Sequence, residues 1–219
     1  MIYLPIFPLH TVLFPGTPLP LHIFEPRYRR MMNEVIRTNG LFGVVLIKRG
    51  IEAMGPLPEP HRIGCSATIA NIEHLPDGRM NLLAIGEERF RILELDQSGP
   101  FLRAWVEMMP MEEPQTLGVS RGARSLMPWI SAYWETLKRA TGERMELEPL
   151  ALPSDPLPLL YLAASLLHIP LIEKQELLES ESSAHFLKKV MRLYRREVVL
   201  LRYMVNTTER QIEHMSRLN

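Results

Sequence analysis

One stretch near the amino terminus, Phe14 to Tyr28, constrains the fold most, because it specifies a turn, a strand and a helix start in succession. Pro15-Gly16 predicts a tight turn, since proline presets φ at about −65° and glycine tolerates positive φ. The alternation of apolar residues from Leu19 to Phe24 then predicts a strand. Pro20 lies inside that strand and lacks a main-chain N–H. The strand is therefore expected at a sheet edge or a bulge.

A helix is predicted to begin at Glu25-Pro26. Proline is favoured at the first helical position, and a carboxylate there suits the positive end of the helix dipole. One face of the helix is apolar, formed by Tyr28, Met31, Met32, Val35 and Ile36. Asn39-Gly40 is a typical helix end. The stretch as a whole predicts a turn, an edge strand and an amphipathic helix in that order.

Several short segments along the chain stand in a characteristic order. They are Leu4 to Leu9, Phe14 to Gly16, Pro20 to Phe24, Glu25 to Tyr28, Phe42 to Val45, Gly64 to Ile69, Pro76 to Arg79, Gly86 to Ile92 and Lys174 to Glu179. This ordered set resembles the LON domain, the amino-terminal domain of the Lon protease family, over nearly the whole chain. The resemblance implies an α+β fold, in which a β-rich PUA-like pseudo-barrel precedes an α-helical bundle.

The residues themselves favour the same division. The strands expected in residues 1–110, besides the edge strand, are Leu41 to Lys48, His61 to Leu75, Met80 to Ile85, Glu88 to Leu95 and Leu102 to Met108. Six or so strands with one inserted helix favour a closed or half-closed β structure, because closure removes exposed edges. Residues 1–110 are therefore predicted to form the β-rich subdomain.

Residues 111–219 are predicted to form the helical subdomain. Prolines and acidic residues mark the boundary at residues 110–118, and a first helix follows, with Pro128 either kinking it or sitting in its first turn. Gly142 is expected to end this helix, and residues 143–158 to form a proline-broken connection. Three further helices are expected over Leu159 to Ile169, Pro170 to Glu179 and Ser183 to about Arg217.

The last of these helices carries a long apolar stripe. Its members are spaced by four and three residues: Leu187, Met191, Tyr194, Val198, Leu201, Val205, Thr208, Ile212 and Met215. Such a stripe must be covered either by a helical bundle or by a partner helix. Self-association through this helix is thus one expectation.

Composition limits the classes of function. The chain has 219 residues, 46% hydrophobic and 23% charged, with zero formal net charge, which gives no electrostatic indication of a nucleic-acid or membrane partner. The uncharged run Pro156 to Ile172 contains about 16 Å of continuous helix, too short for about 30 Å of hydrocarbon. A single cysteine and the lack of a signal-peptide pattern predict a cytoplasmic protein.

No catalytic, metal-binding or cofactor-binding motif is found. The chain has no Gly-Lys pair and therefore no phosphate-binding loop, and it has neither His-Glu-x-x-His nor Cys-x-x-Cys spacing. In the Lon family the Ser-Lys proteolytic centre belongs to a separate domain, and the resemblance ends before it. We expect a non-catalytic module without cofactor or metal.

Candidate polypeptide-contact residues fall into two groups, one near the edge strand and one near the predicted boundary. They are Leu21, Ile23, Phe24, Arg27, Met108, Met109, Met111 and Trp129. Arg27 and Arg89 each suit a structural ion pair or a contact to a ligand carboxylate. The methionines suit either gap filling or adaptable apolar contacts, and Trp129 suits either core packing or recognition.

The resemblance implies a module that binds unfolded or degron-bearing polypeptides, as an adaptor for a protease or a chaperone. Two alternatives remain open. PUA-like folds also bind RNA, although no basic stripe with interleaved aromatic residues occurs here. The apolar stripe of the last helix could instead build a structural oligomer.

Overall fold

The computed structural model describes residues 1–111, 117–141 and 153–216. Its strands are β1 (Ile2–Leu9), β2 (Pro18–Ile23), β3 (Phe42–Arg49), β4 (Glu59–Pro60), β5 (Ile63–His74), β6 (Met80–Asp96) and β7 (Leu102–Met108). Its helices are α1 (Pro26–Thr38), α2 (Leu117–Thr141), α3 (Pro156–Leu166), α4 (Leu171–Leu178) and α5 (Ser183–Ser216). The expected boundary residues 112–116, the helix stop at Gly142, most of the connection 143–158 and the helix end at Arg217 lie outside the described residues.

Contacts divide the chain into two units. The first consists of Met1–Glu112 with Ala164–Glu181, and the second of Glu113–Ala163 with Ser182–Asn219. The segment 164–181, which contains α4, therefore groups with the strands, whereas the sequence pattern assigned it to the helical half. Side-chain bonds within the first unit explain this grouping: Gln175 donates to the carbonyl oxygen of Ile63 at 2.9 Å, and Arg89 donates to main-chain carbonyls at the end of α4.

Five strands of the first unit close into a ring. β1 pairs in parallel with β3 and antiparallel with β7, and β3, β5, β6 and β7 pair antiparallel in that order. A parallel pair needs a crossover, and α1 lies in the connection between β1 and β3. The mixed fold, with a β pseudo-barrel and helices, confirms the fold class predicted from the sequence.

Two apolar clusters lie on opposite faces of these strands. One contains Leu4, Ile6, Val45, Phe90 and Ile92 with three residues of β7. The other combines the predicted apolar face of α1 with Phe7, Leu9 and buried residues of β2, β3, β5 and β6. Four members of that helical face are buried, and Ile36 is partly buried. The amphipathic pattern of α1 is therefore confirmed.

The break predicted between Ile85 and Glu88 is wrong, because β6 runs without interruption from Met80 to Asp96. Gly86 remains in the ladder: its N–H donates to Thr17 and its carbonyl oxygen accepts from Gly16. A Cβ on Gly86 would lie 2.3 Å from the carbonyl oxygen of Phe14. This glycine allows a close approach of two main chains and does not form a turn.

In the second unit α2 packs against α5. Gly122 faces Leu187, where a Cβ would meet the leucine side chain, and the rings of Tyr133 and Tyr194 meet edge to face at 5.5 Å. Pro128 lies inside α2 and not in its first turn. The predicted stripe of α5 is covered within this unit at Tyr194, Val198 and other positions up to Val205. The side chains of Thr208, Ile212 and Met215 lie outside the described ones.

α3 begins at Pro156, earlier than predicted, because prolines in a first turn lose no helical hydrogen bond. Among the described helices, none combines the length and apolar character needed to cross a membrane.

Candidate functional site

A cleft of about 260 Å³ lies beside β2 in the first unit. Its walls are Pro20 to Glu25, Phe7 and Leu9 of β1, Tyr28 of α1, and Glu52-Ala53 of the loop after β3. We call it the β2 cleft. It combines apolar side chains with two carboxylates, those of Glu25 and Glu52.

The second edge of β2 is unpaired in the described part of the chain. β2 pairs only with β6, from Pro18 opposite Ile85 to Ile23 opposite Met80. The main-chain carbonyl of Thr17 accepts from the N–H of Gly86, so Thr17 points its main-chain groups towards β6. In an antiparallel pair these groups point alternately towards the partner strand and away from it. The main-chain groups of Pro18, Pro20 and His22 therefore point to the free edge. Two of these are prolines, so the free edge offers three carbonyl acceptors and one N–H donor.

Arg27 fastens the loop that forms one wall of the cleft. Its Nη1 donates to the carbonyl oxygen of Gly55 at 2.9 Å, its Nη2 donates to that of Glu52 at 3.3 Å, and its Nε lies 3.0 Å from a carboxylate oxygen of Glu25. The main-chain N–H of His10 donates to the Glu52 carboxylate at 2.7 Å. The loop is therefore held from both α1 and the segment after β1.

Within this loop Met54 is almost fully exposed and has a φ of 60°, which is uncommon for a residue other than glycine. Its flexible thioether side chain is therefore free to adopt several rotamers in solvent.

Tyr28 is the buried polar residue of the cleft. Its side chain is 3% exposed, and its hydroxyl has no hydrogen-bond partner among the described residues. Burial raises the pKa of Tyr28 to about 12, so the phenol remains protonated at neutral pH. The hydroxyl is thus a hydrogen-bond donor without an internal acceptor.

Three of the eight predicted contact residues line the β2 cleft. Phe24 is 46% exposed and stacks near His22, with ring centroids 6.0 Å apart, Leu21 is half-buried, and Ile23 is 1% exposed. Arg27 flanks the cleft, but its guanidinium bonds the loop and Glu25. Arg27 thus forms the structural ion pair that the sequence left open as one of its two roles. Arg89 donates to main-chain carbonyls of its own unit.

The remaining four predicted residues do not line the cleft. Met108 packs against the cluster that contains Phe90, Met109 is half-buried, and Met111 is buried. Trp129 belongs to the second unit, where the guanidinium of Arg195 lies 5.5 Å from its ring centre. The partial burial of Met108 and the burial of Met111 are consistent with gap filling, and a contact role for them stays a prediction.

Sequence reasoning missed the loop wall and the Tyr28 hydroxyl. Gly50, Gly55 and the nearby prolines could have indicated a loop, but nothing local shows that Arg27 reaches it. Tyr28 was identified as a buried ring, whereas the lack of an acceptor depends on the whole environment.

No group of three or more histidine, cysteine or acidic side chains suited to a metal occurs in the described ranges. Cys65 is fully buried, and burial raises the pKa of its thiol, so the thiol stays protonated at neutral pH.

Comparison with known proteins identifies relatives over most of the chain. Lon protease 2 of Syntrophobacter fumaroxidans is 30% identical over 84% of this chain and 23% of its own length, and Lon protease 1 of Herpetosiphon aurantiacus is 28% identical over 88% and 24%. The chain therefore spans about a quarter of the length of these curated relatives.

Two solved structures share the fold. The Lon N-terminal domain protein from Xanthomonas campestris has a TM-score of 0.63 at 23% identity, covering 87% of this chain and 98% of that one. The N-terminal domain of Mycobacterium avium complex Lon protease has a TM-score of 0.64 at 17% identity, covering 89% and 98%. A family model, described as the ATP-dependent protease La (LON) substrate-binding domain, matches residues 3–196. The chain belongs to this LON substrate-binding domain family.

Proposed function

We propose that this chain is a non-catalytic module that binds extended, apolar-rich segments of unfolded or degron-bearing polypeptides and delivers them to a protease. The observation that carries the proposal is the β2 cleft, an apolar groove that runs along an unpaired strand edge. Membership of a substrate-binding family supports the same assignment. The non-catalytic part rests on the sequence, which lacks a phosphate-binding loop and any matching nucleophile and base.

An extended client suits the free edge of β2. Peptides that add to a sheet edge gain affinity from main-chain hydrogen bonds and specificity from side-chain pockets. The carbonyl oxygens of Pro18, Pro20 and His22 would accept from client N–H groups, and Phe24 would cover an apolar client side chain. Because the client must become ordered on binding, we expect micromolar dissociation constants, about −8 kcal/mol.

The test is a titration of the protein with a fluorescein-labelled unfolded polypeptide and, separately, with a single-stranded RNA, at about 50 and 200 mM salt. A neutral protein that uses apolar and main-chain contacts should bind the polypeptide almost equally at both concentrations. RNA binding that collapses at the higher salt, with no polypeptide binding at either, would refute the proposal.

A pair of matched variants locates the site. Phe24→Ala removes an exposed aromatic ring from the cleft and should weaken polypeptide binding severalfold. Ile172→Ala removes an exposed apolar side chain from α4 in the same unit and should leave binding unchanged. Equal effects of the two substitutions would show that the β2 cleft is not the site.

Self-association through α5 is a second candidate, favoured by one observation. Val199, Leu200 and Tyr203 are exposed and apolar, in addition to the covered stripe of the same helix. Sedimentation equilibrium distinguishes self-association from a monomeric binding module. An oligomer that Tyr203→Glu dissociates would support self-association through α5, and a monomeric wild type would exclude it.

A further inference from the structure

We infer that a second cavity of the first unit binds the carboxy-terminal residue of a polypeptide, with Arg62 bonding the terminal carboxylate and an apolar wall contacting the last side chain. This cavity has a volume of about 290 Å³ and lies beside β4. We call it the β4 cavity. The inference goes beyond the proposed function, because it assigns a second site, and it rests on that function only in taking a polypeptide as the ligand.

The β4 cavity combines an apolar wall with charged side chains. Ile92 and Leu95 of β6 form the apolar wall, and both belong to the packing around Phe90. The charged and titratable side chains that line the cavity are those of Lys48, Glu59, His61, Arg62 and Glu179. A ligand that matches these walls has an apolar part next to a charged group.

The two carboxylates of the cavity already have partners inside the first unit. Glu59 accepts a hydrogen bond from Nζ of Lys48 at 2.9 Å, and Nε of Arg49 lies 4.0 Å from its other oxygen. The bond from Lys48 lowers the pKa of Glu59, so this carboxylate stays ionised and paired at neutral pH. Glu179 accepts from the side-chain amide of Gln175 at 2.8 Å. A cationic ligand therefore has to compete with these internal partners.

Arg62 has no carboxylate partner among the described residues. Its side chain is exposed, and its guanidinium donates one hydrogen bond, from Nη1 to the carbonyl oxygen of Leu93 at 3.3 Å. A guanidinium carries five N–H donors in a planar fork that matches the two oxygens of a carboxylate. The unpaired charge of the cavity is therefore positive, and it suits a carboxylate ligand.

Main-chain hydrogen bonds fix this side of the cavity before a ligand binds. The N–H of His61 donates to the carbonyl oxygen of Leu46 at 2.8 Å, and the carbonyl oxygen of Arg62 accepts from the N–H of Ile92 at 2.7 Å. The residue that carries the guanidinium is thus bonded directly to a residue of the apolar wall. Such preorganisation lowers the entropy lost on binding.

A polypeptide carboxy terminus has the chemistry that these walls require. It carries a carboxylate and a side chain on the same α-carbon, so that a single residue can contact Arg62 and the apolar wall together. The volume is at the lower end of ligand pockets, about 300–1,000 Å³, which suits one residue better than a long internal segment. An internal Asp or Glu has a carboxylate but no apolar side chain on the same residue. We expect ligands that end in a large apolar residue such as Leu.

Two short peptides that end in Leu test the inference. Both carry fluorescein at the amino terminus, and they differ only in that one ends in a free carboxylate and the other in a carboxamide. The protein should bind the free acid at least tenfold more tightly, because the amide removes the charge that Arg62 bonds. Equal affinities for the two peptides would overturn the inference.

Two variants locate the carboxylate. Arg62→Gln should weaken binding of the acid peptide about tenfold, to the level of the amide peptide, and should leave binding of the amide peptide unchanged. Arg49→Gln is the matched control, because it removes a charge at the end of β3 from a side chain that is 80% exposed and does not line the cavity. Equal losses with both variants would indicate a diffuse effect of charge and would overturn the inference. Thermal unfolding midpoints equal to that of the wild type show that both variants are folded.

A third acid peptide, with the terminal Leu replaced by Ser, tests the apolar wall and should bind severalfold more weakly. Equal binding would overturn the assignment of this wall. Phe24→Ala should not change binding of the Leu acid peptide, and a loss there would move the terminus to the β2 cleft and overturn the inference. If the wild type does not bind the Leu acid peptide, the inference is wrong, whereas the titration with unfolded polypeptide still decides the proposed function.

Discussion

Arg89 donates a hydrogen bond of 2.8 Å from Nη1 to the carbonyl oxygen of Leu178, the last residue of α4. The same nitrogen donates to Ser180 at 2.7 Å. A cation at the end of a helix satisfies carbonyl groups that have no partner inside the helix and interacts favourably with the helix dipole. One side chain of β6 thus holds the segment 164–181 in the first unit.

We expect Arg89→Ala to lower the free energy of unfolding by about 3 kcal/mol, because charge-assisted bonds to buried carbonyls are lost together. Urea unfolding followed by circular dichroism measures the change. The exposed neighbour on the same strand provides the control, and Arg91→Ala should change stability by less than about 0.5 kcal/mol. Similar values for both variants would show that the bonds to α4 contribute little.

Gly86→Ala should destabilise the first unit by about 1–3 kcal/mol, the usual cost of overpacking, because the new Cβ would meet the carbonyl oxygen of Phe14 at 2.3 Å. Thermal unfolding reports the effect. Gly99→Ala is the matched control, since its Cβ would meet its nearest atom at an ordinary 3.7 Å. A stable Gly86→Ala protein would mean that the β2 to β6 pairing is looser than described.

Tyr194→Phe should destabilise the second unit by about 1–2 kcal/mol. The hydroxyl of Tyr194 is buried and donates to the carbonyl oxygen of Ala163 at 2.9 Å, and burial raises its pKa. The variant leaves that carbonyl without this donor, whereas Tyr203→Phe alters an exposed ring. Urea unfolding measures the free energy of unfolding of both variants. Equal values for Tyr194→Phe and Tyr203→Phe would contradict the predicted contribution of the Tyr194 hydrogen bond.

The pKa of Asp96 is lowered to about 2, first by the hydrogen bond from the Tyr3 hydroxyl and then by Ser98. Because this folded-state pKa lies below the unfolded value of about 3.9, the stability that it contributes is present above that value and lost as the pH falls towards 2. Tyr3→Phe removes the main donor, so the pKa of Asp96 should rise. Carbon-detected NMR titration of the carboxyl groups measures it.

Asp77 is the internal control in that titration. Its pKa is lowered chiefly by the main-chain N–H of Arg79, which Tyr3→Phe does not touch. An unchanged Asp96 midpoint would show that Ser98 and the charge of Arg103, and not Tyr3, lower the pKa of Asp96.

The sequence predicted correctly those elements that are determined by neighbouring residues. The turn at Gly16, the edge strand with Pro20 and the apolar face of α1 all follow from spacing and backbone preference, and the structure confirms them. The fold class followed from the order of short segments. The partial burial of Met108 and the burial of Met111 could not be predicted, because exposure cannot be deduced from residue type.

Features that depend on distant residues were missed. Gly86 was interpreted as a strand break because glycine is required there by the close approach of the Phe14 main chain, which is remote in sequence. The grouping of residues 164–181 depends on Arg89 and Gln175, whose acceptors are far along the chain. The candidate site was located only in part, since the Arg27 clamp on the loop joins residues 28 positions apart.

The ring of strands also dictates when this domain can form during synthesis. Among these strands β1 is synthesised first, yet one of its two neighbours is β7, with Ile2 opposite Val106. β1 therefore lacks one of its two neighbours until β7 has been synthesised, and such non-local pairing slows folding. Even then Arg89 lacks the carbonyls of Leu178 and Ser180 until much more of the chain has emerged. A nascent chain that ends between β7 and α4 therefore contains every strand of the ring but not the carbonyl acceptors of Arg89.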